Sequence, residues 1–369
     1  MPNIIARFQA RLALGSHPSN VPPIILHSRP SLDTKKPSAD IFHDNDLRRI
    51  RWALRLKDLD WYECSELDGG AVHRVVGTRL GKIPVPIIQI GKDMYWGTGS
   101  VMRALERRFP YPTLYSGPVA LAGSQAHTRH HEGLSAALTS WCDKVFRPAL
   151  VPLLTNPRDP VAQAHPVHFY LQTVESMLTA STPVCTNDFT SNRSFIVDQS
   201  ESPESTQWHG IHRSTTHPHM TDLMLGSTAL LARSVPSLRS TWTETYPLTA
   251  SWLDRLLDYL EKRTETGVAI SSEDAVEVLA RKFTVGECGT IPPQSEIVEV
   301  ELQNGATING QVVTSSKWDL TLGRTENVVG EEGQVESIYS ITLPKDEIGT
   351  YTILETLKGS GDKKITYID

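Results

Sequence analysis

The sequence predicts a three-part chain: a small mixed α/β domain, an all-α domain and a small all-β segment at the C-terminal end. Three observations predict it. Between residues 22 and 116 the order is strand, helix, strand and then strand, turn, strand, helix. Between residues 120 and 260 the better segments are helical, at 135–154, 167–178, 220–232 and 249–262. After Ser295 the chain changes to short alternating runs separated by turns.

Residues 1–21 are an N-terminal extension. It carries Arg7 and Arg11 and has no acid before Asp33, a bias shared by transit peptides, disordered tails and short docking helices. Pro22-Pro23 introduces Ile24-Ile25-Leu26, a short buried strand. Residues 29–45, with Pro30 and Pro37, read as loop. Leu47, Ile50, Ala53, Leu54 and Leu56 then recur at helical spacing, with Asp44 or Asn45 as the expected N-cap. Trp61 to Cys64 is the next strand. Ile83 to Ile90, the turn Gly91-Lys92-Asp93 and Met94-Tyr95-Trp96 form a hairpin. Thr98 is the expected cap of a helix running to Arg108. Residues 117–285 make the helical domain, with a Ser-, Thr-, Pro- and His-rich insertion near 198–219. A helix capped at Ser271 precedes the β-rich extension, residues 286–369.

Composition narrows the function classes. The chain has 369 residues, 39% of them hydrophobic, and a net charge of −6 with mixed signs throughout. No basic stripe suggests a nucleic-acid partner. No run approaches the ~18 apolar residues of a membrane span. Cys64, Cys142, Cys185 and Cys288 are widely spaced and form no CxxC, as expected of reduced thiols in a cytoplasmic protein.

Three ordered pieces carry a family resemblance: IRWALRLKDLDWYEC (50–64), KIPVPIIQIGKDMYW (82–96) and GTGSVMRALERRFPYPTLYSG (97–117). Together they resemble the thioredoxin-like half of glutathione S-transferases. Arg193 to Val197, Met220-Thr221-Asp222, Tyr246-Pro247 and Trp252-Leu253 are looser likenesses to the helical half. The segment SITLPKDEIGTYTI resembles the β-rich extension of a group of fungal transferase-like proteins.

The resemblance implies a thioredoxin-like domain at 22–116, a transferase-type all-α domain at 117–285, a possible homodimer and glutathione as a possible cofactor. No metal is expected, because no Asp or Cys near His127 and His131 completes a ligand set with them. The resemblance makes Val85 the residue whose backbone would pair with glutathione, Pro86 a cis-proline, and Thr98 the surviving hydroxyl of a pair that normally contains an acid. The thiol-activating position, normally Tyr, Ser or Cys, falls on Asp44, Asn45 and Asp46. A carboxylate beside a thiol disfavours the thiolate, whereas Asn45 has an amide donor to offer. His27, Ser28 and Arg29 are alternatives at the strand end. In the implied cleft for a small apolar organic substrate, His127 and His131 would share a helix face and could act as general acid or base. His130 and Trp141 lie in the same region. Four further histidines, His209, His212, His217 and His219, read as loop, lid or zinc ligands. The expected function is a transferase-like enzyme, probing either glutathione-dependent transfer or isomerisation, or glutathione-independent acid–base cyclisation or isomerisation in natural-product biosynthesis. A non-catalytic binding or assembly module is the alternative.

Overall fold

A computed structural model describes residues 22–28, 37–65, 86–115, 135–155, 160–181, 217–261, 267–280, 296–303, 305–330, 333–355 and 364–365. They belong to two compact units. One comprises residues 1–32, 60–105 and 266–369; the other comprises 33–59 and 106–265.

The first unit is built on one sheet, with eleven strands among the described residues. Its N-terminal part is β1 (Ile24–His27), β2 (Tyr62–Cys64), β3 (Ile87–Ile90) and β4 (Asp93–Trp96). β1 is parallel to β2 and antiparallel to β3, and β3 turns back into β4. Gly91 makes that turn with φ +61°, a conformation glycine adopts without steric cost. β1, β3 and β4 are buried throughout. That explains why their apolar residues do not alternate with polar ones: both faces of these strands are covered.

The C-terminal part continues this sheet. After the short β5 (Val268–Ala269), which lies parallel to β2, come α9 (Ser272–Ala280) and six strands. These are β6 (Ile297–Leu302), β7 (Thr307–Ser315), β8 (Asp319–Gly330), β9 (Gly333–Pro344), β10 (Ile348–Glu355) and β11 (Lys364–Ile365). The full order is β11-β10-β6-β7-β8-β9-β4-β3-β1-β2-β5. The joint is β9 beside β4, parallel, with Asp93 opposite Ser340 and Tyr95 opposite Thr342. The β-rich extension therefore covers what would otherwise be the unpaired edge of β4, an edge open to wrong partners. One continuous apolar core, from Ile25 and Trp96 through Ala275 to Val298 and Ile341, runs under both parts. α9 starts with a reciprocal capping box: Ser271 Oγ accepts from Asp274 N–H, and Asp274 Oδ2 accepts from Ser271 N–H, each at 3.2 Å.

α2 (Gly97–Arg108) follows β4, and the boundary between the units falls within it after Leu105. The second unit is helical. It holds α1 (Pro37–Leu56), α3 (residues 135–155), α4 (Pro160–Ser181), α5 (Met220–Arg233), α6 (Pro236–Arg239), α7 (Trp242–Thr245) and α8 (Pro247–Glu261). α3 contains a π-helical turn, Cys142–Phe146. α1, α5 and α8 approach closely at Gly226. A β-carbon there would stand 2.4 Å from Leu256 and 3.6 Å from both Trp252 and Trp52. None of the described helices is long and apolar enough to cross a membrane.

Two local expectations are corrected. α1 begins at Pro37, so residues 37–45 are helix rather than loop, and Asp44 and Asn45 lie inside it rather than capping it. Proline at the first helical position surrenders no helical hydrogen bond, so Pro37 opens the helix instead of breaking it. α2 begins at Gly97, which places Thr98 in its first turn rather than at its cap. The N-terminal extension and residues 66–85 and 182–216 lie outside the described residues.

Candidate functional site

The first candidate region is the start of α2 in the sheet unit. Pro86 is buried, and its carbonyl accepts from Gly97 N–H at 3.0 Å. Val85 lies outside the described residues. Gly97 has φ +73°, and a β-carbon on it would come within 2.9 Å of Glu347 Oε1 and 3.3 Å of Pro344. The carboxylate of Glu347 thus lies against the first residue of a helix whose own first turn holds no acid.

Thr98 is half-buried in that turn. Ser100, one turn in, is fully engaged with the C-terminal part. Its Oγ donates to Asp319 Oδ1 at 2.5 Å, and Arg103 donates through Nε to Oδ2 at 2.8 Å and through Nη2 to Oδ1 at 2.5 Å. A second buried bond, from Ser340 Oγ to Asp93 Oδ1 at 2.7 Å, ties β9 to β4.

Of the strand-end alternatives, Ser28 is buried and Arg29 lies outside the described residues. His27 is completely buried, with Nε2 3.0 Å from Gln89 Oε1. Gln89 spends its amide hydrogens on the Gly91 and Ala275 carbonyls, so its oxygen accepts and His27 carries its proton on Nε2. Its Nδ1 has no partner among the described residues. Burial lowers the imidazole pKa to about 4, against the opposing effect of the Gln89 bond. His27 is therefore a neutral core histidine at physiological pH.

The second region is in the helical unit and contains the three α1 candidates. Asp44 is exposed. Asn45 is buried, and neither its amide nitrogen nor its oxygen has a partner among the described residues. Asp46 accepts from Arg147 Nη1 at 2.5 Å and from Arg49 Nη1 at 3.3 Å. Arg147 also stacks over the Phe42 ring.

Arg49, missed by the sequence reading, is the centre of this region. It is completely buried. Nε donates to Ser227 Oγ at 2.8 Å, Nη1 to Asp143 Oδ1 at 2.6 Å, and Nη2 to Thr228 Oγ1 at 2.8 Å. Longer contacts reach the Cys142 thiol and the Met224 carbonyl. The π turn lets two successive residues, Cys142 and Asp143, reach the same guanidinium. Burial opposes the charge, but Asp143, Cys142 and Asp46 outweigh it and raise the Arg49 pKa above its ordinary value. Burial also pushes the Cys142 thiol up, with Arg49 opposing, which makes it a poor nucleophile. The signal for Arg49 was present in the sequence: it lies four residues before Ala53, on the face the apolar spacing marks as buried.

The histidine groups divide. His127, His130 and His131 lie outside the described residues, as do His209 and His212. His217 and His219 belong to the start of α5: their rings stack with centroids 4.8 Å apart, and His217 Nε2 is 2.9 Å from the Thr113 carbonyl. His219 N–H donates to Asp222 Oδ2 at 2.9 Å, and Trp252 donates to Asp222 Oδ1 at 3.1 Å. These two histidines shape a helix entry. No three His, Cys, Asp or Glu side chains group as metal ligands among the described residues.

The fold is that of glutathione S-transferase-like proteins. A GST-like protein from Pseudomonas syringae superposes with a TM-score of 0.57 at 18% identity, over 88% of this chain and 98% of that one. A match of that length exceeds residues 1–285, so it reaches into the β-rich extension. A rice glutathione S-transferase in complex with glutathione gives a TM-score of 0.43 at 15% identity, over 70% of this chain and 94% of that one. For maleylacetoacetate isomerase from Anaeromyxobacter dehalogenans, with bound dicarboxyethyl glutathione and citrate, the values are 0.39, 15%, 66% and 95%. The fold assignment rests on the first of the three. No protein-family model and no curated protein sequence matches the chain.

Proposed function

We propose that this chain is a glutathione S-transferase-like enzyme that rearranges a small apolar organic substrate by acid–base cyclisation or isomerisation, without glutathione. The observation that carries this reading is the fate of the thiol-activating stretch. Residues 42–48 contain no hydroxyl or thiol. They lie inside α1, where Asp46 is engaged by Arg49 and Arg147 and Asn45 is buried. A glutathione thiol needs a donor that favours its thiolate, and Asp44 and Asp46 would act in the opposite sense.

Within this reading His127 or His131 supplies the general acid or base, and Pro86 and Thr98 are scaffold remnants of a glutathione site. A homodimer and a cytoplasmic, natural-product setting accompany it. Mass balance separates the two chemistries. Isomerisation or cyclisation leaves the substrate mass unchanged, whereas transfer adds glutathione. Purified protein is incubated with apolar metabolite extracts, with and without reduced glutathione, and products are read by mass spectrometry. New isobaric products independent of glutathione are expected. Products that appear only with glutathione, or carry its mass, would overturn the reading.

A further inference from the structure

We propose that the distal half of the β8–β9 hairpin is a docking edge for an extended basic segment of a partner protein, which adds a strand alongside β9.

The two strands pair along their whole length, from Asp319 opposite Pro344 to Gly330 opposite Gly333. The rest of the sheet holds only their base. β7 meets β8 between Leu320 and Gly323, and β4 meets β9 between Ser340 and Thr342. Beyond that, among the described residues, 325–330 and 333–338 pair only with each other. Six residues a strand reach about 20 Å. A two-stranded ribbon is marginal by itself and gains from a third strand. Its outer edges present backbone groups that can template one.

The two edges differ. On the β8 side β7 stays close: a β-carbon on Gly310 would stand 2.9 Å from Leu322 and 3.4 Å from Arg324. On the β9 side β4 begins only at Asp93, opposite Ser340, and the Gly91-Lys92 turn closes the β3–β4 hairpin there. Beside 333–338 the lane of β4 is open among the described residues. Ser340 N–H donates to the Lys92 carbonyl at 3.2 Å, so Ser340 turns its backbone groups toward that lane. The β8–β9 register continues without a bulge, and alternate residues of a strand face the same neighbour. Gln334, Glu336 and Ile338 therefore present their N–H and C=O groups to the lane, while Val335 and Ser337 spend theirs on β8.

Charge selects the occupant. The sequence 325–338 contains Glu326, Glu331, Glu332 and Glu336 and no Lys or Arg. Across paired strands opposite charges stabilise and like charges destabilise. A second copy would bring the same four glutamates to the edge and be repelled. A strand with Lys or Arg at alternate positions is favoured instead. Main-chain bonds to β9 supply its affinity and the glutamates its selectivity, as in other cases of strand addition.

The test is calorimetric titration of the full chain with an acetylated and amidated hexapeptide of alternating lysine and valine, and with its glutamate–valine counterpart. Residue-resolved hydrogen exchange follows. Gln334→Pro removes one N–H from the lane while leaving the β8–β9 bonds and every charge in place. Glu336→Gln removes one charge and keeps the backbone. The lysine peptide is expected to bind wild type, and the glutamate peptide is not. Bound peptide should slow exchange at the amides of Gln334, Glu336 and Ile338 and leave those of Val335 and Ser337 unchanged. Gln334→Pro should weaken binding about tenfold, and Glu336→Gln about two- to fivefold. If Gln334→Pro disturbs the hairpin, seen as faster exchange at Val335 and Ser337 without peptide, Glu336→Gln and the protection pattern still decide. No binding of the lysine peptide, equal binding of both peptides, or binding without protection of the three lane amides overturns the proposal. A concentration-dependent dimer that protects those same amides overturns it too, because a second copy would then be the occupant.

Discussion

Arg49 in the helical unit and His27 in the sheet unit are both completely buried bases, and they resolve the same problem in opposite ways. Removing a charge from water is costly, and the base either finds anions or gives up its proton. Arg49 has Asp143 and Asp46 within reach and keeps its charge. Among the described residues His27 has only the neutral amide of Gln89, and it stays uncharged, its pKa lowered to about 4 by burial. The difference follows from intrinsic basicity as much as from partners: a buried guanidinium keeps its proton and must be supplied with anions, whereas a buried imidazole beside a neutral amide can give its proton up.

The largest expected effect tests the charged half of that comparison. Arg49→Met leaves Asp143 and Asp46, among the described residues, with Arg147 as their remaining cation. Breaking a buried ion pair from one side costs about 3–5 kcal/mol. Urea unfolding followed by far-ultraviolet circular dichroism should show that loss. Adding Asp143→Leu to Arg49→Met should recover part of it, because an apolar replacement of both partners is often close to neutral. A single variant within about 1 kcal/mol of wild type would mean that water, not Arg49, carries the carboxylates.

The neutral half predicts a pH dependence. Between pH 6.5 and about 4 the unfolded chain binds a proton at residue 27 and the folded chain does not. Stability therefore rises with pH through this window. It is fully present above 6.5 and is lost as the pH falls toward 4, by about 3 kcal/mol in all. His27→Asn should flatten that part of the stability–pH curve relative to wild type. An unchanged slope would place a charged imidazole in the core and end the contrast with Arg49.

Local features were legible in the sequence and distant pairings were not. The Gly91 turn, the Ser271 cap and the alternation of β6 report on neighbours a few residues away, and each appears where expected. Pro37 was misread because proline both opens and breaks helices, and only its position in the helix distinguishes the two. The junction of β4 with β9 left no local trace. It pairs Asp93 with Ser340, 247 residues apart, and an edge strand's periodicity does not name its neighbour. The candidate site divides the same way. Pro86 and Thr98 sit in recognisable motifs, whereas Asp319 meets Ser100 and Arg103 only when the extension folds back onto α2.

Asp319 offers the smallest effect and the finest test, because it lies between the two extremes: nearly buried, charged, and paired with a partly exposed Arg103. Solvent around Arg103 weakens the ion pair, so the strength should come mainly from the bond to buried Ser100. Asp319→Ala should cost about 1–3 kcal/mol by leaving Ser100 and Arg103 without their acceptor, and Asp319→Asn, which keeps an oxygen for Ser100, about 1 kcal/mol. Hydrogen exchange should localise the loss to β8 and the first turns of α2, while Arg49 and its neighbours stay protected. If both variants instead loosen the extension no more than Arg103→Ala does, the ion pair outweighs the serine bond. Partial exposure would then have preserved more of a charge's strength at this joint than the contrast between Arg49 and His27 implies.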